Sequence, residues 1–65
     1  MADMLTLTLA SGKKVTIEKG SYVVQVWYNG MWHNVAAFPN TVDGAALATS
    51  VMDHIDGTAQ IQIFN

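Results

Sequence analysis

Leu5-Thr6-Leu7-Thr8-Leu9 alternates strictly, so the three leucines face one way and the two threonines the other, as in a half-buried strand. Ala10-Ser11-Gly12-Lys13 reads as a turn. Lys14-Val15-Thr16-Ile17-Glu18 alternates again and is expected to return antiparallel. Gly20-Ser21 breaks the run before a longer hairpin, YVVQVWYNGMWHNVAAF. Asn29-Gly30 at its centre suits a two-residue type I′ turn, because both positions need positive φ and both residues tolerate it.

That turn predicts a register. On one face Tyr28 opposes Met31, Val26 opposes His33, Val24 opposes Val35 and Tyr22 opposes Ala37. On the other, Trp27 opposes Trp32, Gln25 opposes Asn34 and Val23 opposes Ala36. A slip of one residue on either strand would exchange these sets. Phe38-Pro39-Asn40-Thr41 ends the sheet segment, since proline cannot continue an internal ladder.

A helix is predicted over Val42 to Ile55, with Asn40 or Thr41 as cap and Asp43 adding favourable charge in the first turn. Ala45, Ala48, Met52 and Ile55 form its apolar line, flanked by Leu47 and Val51. Gly44 costs about 1 kcal/mol relative to alanine if it is internal. Gly57 is placed to stop the helix. Ala59 to Phe64 alternates as a last strand. The expected fold is a single α+β domain over residues 1–65: a small antiparallel sheet in the order β-β-β-β-α-β, with one helix on one face and no element left over for the other.

Composition sharpens this picture. The segment from Gly20 to Val42 holds both tryptophans, both tyrosines and one phenylalanine, and no Asp, Glu, Lys or Arg. One face of this hairpin must lie under the helix; the other is left neutral, polar and aromatic. A chain of 65 residues without cysteine has no disulfide to staple a small core. Such chains complete the core with a second subunit, so a homodimer is expected. The first and last alternating segments, Leu5–Leu9 and Ala59–Phe64, are the candidate edge strands, because neither carries the lysine or proline that blocks pairing.

The net charge is −2, with three lysines and no arginine. This balance argues against binding to polyphosphate or to an anionic membrane surface. Lys13, Lys14 and Lys19 are the only available phosphate contacts, and they are expected to form at most a minor basic patch near one loop. The aromatic face could still stack single-stranded bases, which keeps nucleic-acid binding as an alternative. The start MADMLTLTLA lacks the basic residues and long apolar run of a signal peptide, and no segment approaches a membrane span. A cytoplasmic protein is expected.

Catalytic equipment is sparse. Asp3, Glu18 and Asp43 come from separate segments, and no base accompanies the hydroxyls in a nucleophilic arrangement. The glycines occupy turns, breaks and helix ends and make no phosphate loop. His33 falls on the valine-rich face as a structural residue; His54, Asp53 and Asp56 lie near the helix end without diagnostic metal spacing. No enzyme activity, cofactor or metal is expected. The sequence points to a small accessory or regulatory protein acting by protein–protein contact through Trp27, Trp32, Gln25, Asn34 and Val23, with a structural homodimer or assembly subunit as the alternative.

Overall fold

The computed structural model describes residues 3–65. It shows the expected α+β order: β1 (Met4–Thr8), β2 (Lys14–Glu18), β3 (Tyr22–Tyr28), β4 (Met31–Phe38), α1 (Val42–Asp53) and β5 (Ala59–Ile63). One helix packs against a small antiparallel sheet. The strands divide, however, into a β1–β2 hairpin and a separate three-stranded sheet ordered β4-β3-β5.

The division answers what covers the second face. Val23 and Val24 are neighbours on β3, so their side chains point to opposite sides, yet they are 1% and 0% exposed. Both faces are therefore covered at this level. β4 and β5 are each antiparallel to β3 and so parallel to one another. A right-handed β4–α1–β5 crossover places α1 over the Val24 face. On the opposite face Ala37, the partner of Val23, shares a crevice with Thr16 and Ile17 of β2. The β1–β2 hairpin remains as the cover for a face that was expected to have none: Leu7 is buried, and Leu5, Leu9, Val15 and Ile17 are half-buried.

Backbone hydrogen bonds pin this hairpin at both ends. The N–H of Ala10 donates to the carbonyl of Asn34 on the outer edge of β4 (2.7 Å), and that of Gly20 to the carbonyl of Phe64 (2.6 Å). Gly20 turns the chain out of the first hairpin at φ 94°. That conformation is open to glycine and costly for other residues.

The Asn29-Gly30 turn forms as expected, with φ 54° and 83°. The pairs Tyr28–Met31, Trp27–Trp32, Val26–His33 and Gln25–Asn34 follow the predicted register. Beyond Gln25 the ladder shifts by one: Val24 pairs with Ala36, Val23 with Ala37 and Tyr22 with Phe38. Val35 is the extra residue, so the expected Val24–Val35, Val23–Ala36 and Tyr22–Ala37 pairs do not form. A bulge of this kind locally exchanges the faces of one strand. Here it turns Ala36, rather than the larger Val35, onto the Val24 face beneath α1.

Small side chains let the helix sit close. Gly44 and Ala48, one turn apart, are its buried residues. Thr41 is the N-cap, its Oγ1 accepting from the Gly44 N–H at 2.9 Å. The helix ends at Asp53 rather than Ile55, and Gly57 does not stop it. His54 does so: it caps in an αR conformation, and its Nδ1 pairs with the carbonyl of Ser50 at 2.7 Å. The hydrogen bond to this free C-terminal carbonyl replaces a further helical turn. Among the described residues, no helix is long and apolar enough to cross a membrane.

Candidate interaction surface at the tip of the β3–β4 hairpin

The helix is shorter than the hairpin it covers. Twelve helical residues span about 18 Å at 1.5 Å each. The eight residues of β4 span about 27 Å at 3.4 Å each. The β3–β4 tip therefore overhangs the helix. Trp27, Tyr28 and Met31 are 48%, 67% and 56% exposed, from both faces of the tip.

Trp27 and Trp32 form the cross-strand pair expected from the turn. Their ring centroids lie 5.3 Å apart with an interplanar angle of 70°, an edge-to-face contact. The positive edge of one ring meets the negative face of the other, a preferred geometry for aromatic pairs. Trp32 is half-buried and holds the more exposed Trp27 in place.

Behind the indoles an amide row crosses all three strands of the sheet. Gln60 Nε2 donates to Gln25 Oε1 and Gln25 Nε2 donates to Asn34 Oδ1, each at 2.8 Å. All three side chains are half-buried. The row has a direction: it leaves the Gln60 carbonyl oxygen at the β5 end and the Asn34 amide nitrogen at the β4 end. Gln25 and Asn34 are thus committed first to each other, and they support the indole pair from behind. Val23 lies deeper on the same face and is in the core. The expectation that it touches a partner is corrected by its burial, which leaves it 1% exposed.

Tyr28 and Met31 belong to the surface although the turn register sets them on the same face as Val24 and Val26. The missing signal was helix length against strand length, since a residue flanking a tight turn outruns a three-turn helix. His33 fills a structural place. Its Nε2 pairs with the Tyr28 carbonyl at 2.9 Å, and its ring lies 5.9 Å from the tyrosine ring.

The lysines do not form one patch. Lys13 and Lys14 sit at the β1–β2 turn and Lys19 at the far end of β2. The five residues of β2 put about 16 Å between them at 3.3 Å each. Among the described residues no group of three or more His, Cys, Asp or Glu side chains is placed to hold a metal ion. No family model, curated protein or solved structure matches the chain.

Proposed function

We propose that this protein is a small accessory or regulatory factor that acts without catalysis, by docking the aromatic tip of its β3–β4 hairpin onto another protein. The observation that carries the reading is the exposure of the tip: Trp27, Tyr28 and Met31 all stand open to solvent at the end of the two-stranded hairpin. The amide row behind them restrains the strands. Large rings with few rotatable bonds bury area at small entropic cost, which is why they dominate interaction hot spots. The neutral tip suits a partner groove that is apolar at its centre, with hydrogen-bonding groups at its rim. A setting in the cytoplasm fits a chain that does not use cysteine.

Self-association is the second reading, favoured by the regular free edge of β5. Single-stranded nucleic acid is the weaker alternative, because the lysines that would meet its phosphates stand at opposite ends of β2.

Affinity capture from an extract of the native host tests the docking reading. The baits are wild type, Trp27→Ser/Trp32→Ser and Tyr28→Ser/Met31→Ser, each first shown to be folded by circular dichroism. A protein retained by wild type and lost from both variants supports the reading. Equal retention by all three baits refutes it. The milder tip variant keeps the test decisive if the double tryptophan variant unfolds.

A further inference from the structure

The strand β5 forms one edge of the three-stranded sheet. In β5 the residues that bond to β3 are fixed by two observations: Trp27 N–H donates to the Thr58 carbonyl, and Phe64 N–H donates to the Ser21 carbonyl. In an antiparallel ladder such residues alternate. Gln60 and Gln62 therefore turn their backbone groups toward β3, and Ala59, Ile61 and Ile63 turn theirs outward. The other regular edge of this sheet, on β4, is taken at Asn34 by Ala10 and interrupted at Val35. The β5 edge has neither obstacle and carries no charge or proline along Ala59–Ile63.

From this arrangement we infer that two copies of the chain pair through β5, antiparallel, about a two-fold axis at Ile61, forming one continuous sheet. The register is self-complementary. Ile61 exchanges both backbone hydrogen bonds with Ile61 of the second copy, and Ala59 exchanges both with Ile63, so every outward N–H and C=O of the edge is satisfied. On the helix side Ile63, now 46% exposed, gains Ala59 of the second copy as its neighbour. On the opposite side Gln60 stands across from Gln62 of the second copy. The free carbonyl oxygen at the end of the amide row meets a donor there. The row Asn34-Gln25-Gln60 then runs on into the other protomer. A two-fold axis at Ala59 or Ile63 would leave part of the edge unpaired.

β1 offers the competing edge, through Met4, Thr6 and Thr8. Its leucines are already turned into the protein, and no side-chain row ends there unfilled. The dimer leaves the tryptophan tip outside the interface and is independent of the docking reading.

Sedimentation velocity over a concentration series tests the edge, together with cysteine trapping, which the cysteine-free chain permits. Wild type and Trp27→Ser/Trp32→Ser are expected to sediment as dimers. Ile63→Lys is expected to weaken dimerisation at least tenfold while keeping its circular dichroism spectrum, whereas Thr6→Lys leaves it unchanged. Oxidation of a mixture of Gln60→Cys and Gln62→Cys chains is expected to give a 60–62 crosslink. Facing residues of that kind lie about 4.5 Å apart at Cα, within disulfide range. A wild type that stays monomeric at millimolar concentration overturns the inference. So does a dimer broken by Thr6→Lys and not by Ile63→Lys, or crosslinking within each single variant but not between them.

Discussion

Replacing Gly44 with alanine tests how closely the first turn of α1 packs on the chain that leads into it. Alanine is the better helix former by about 1 kcal/mol, so local propensity alone predicts stabilisation. The structure predicts the reverse. A Cβ at position 44 would collide with the carbonyl oxygen of Pro39, and would lie 2.9 Å from its carbonyl carbon and 3.2 Å from Thr41 Oγ1. Its obstacles are backbone and a cap, neither of which moves freely. Overpacking of this kind costs about 1–3 kcal/mol. Displacing Thr41 weakens the cap that holds the Gly44 N–H, at about 1 kcal/mol more. After subtracting the propensity gain, the net loss is about 2 kcal/mol. In a domain of this size that lowers Tm by about 8–16 °C. The assay is thermal and urea unfolding followed by circular dichroism, with the exposed Ala46→Gly as counterpart. Ala46→Gly should lose about 1 kcal/mol by propensity alone. Glycine should therefore be preferred at 44 and alanine at 46. A Gly44→Ala protein as stable as wild type, or more so, would refute the close-approach argument.

Two further substitutions probe the parts that set up the surface. Gln25→Leu leaves both Asn34 and Gln60 half-buried without their partner and should cost about 1–3 kcal/mol in urea unfolding. The exposed Thr6→Leu in the same assay should stay within about 0.5 kcal/mol of wild type. Thr41→Ala removes the N-terminal side-chain cap of α1 and should cost about 1 kcal/mol, with the loss seen as a lower Tm.

The particular residues show where sequence reasoning reached and where it stopped. Asn29-Gly30 specifies its turn through backbone conformation alone, so the four pairs nearest the turn, and with them the Trp27–Trp32 contact, were legible. The bulge was not. Val35-Ala36-Ala37 is apolar throughout, so no polar–apolar contrast marks a change of face there. The strict alternation of Leu5–Leu9 announced a strand with one buried side, but not what it buries against. That choice rests on Gly20 and on two long-range backbone bonds, from Ala10 to Asn34 and from Gly20 to Phe64. The apolar periodicity that reaches Ile55 likewise hid the helix end, which a side chain of His54 determines. For the surface, the indole pair was foreseen because it follows from the turn. The exposure of Tyr28 and Met31 depends on relative element lengths, which become meaningful only once the helix is placed.

Acrylamide quenching of tryptophan emission, measured on the free protein and again in complex with the captured partner, tests the docking surface most directly. The account predicts ready quenching of the free protein, dominated by Trp27, and strong protection in the complex. Indoles already shielded in the free protein, or quenching unchanged by the partner, would contradict it.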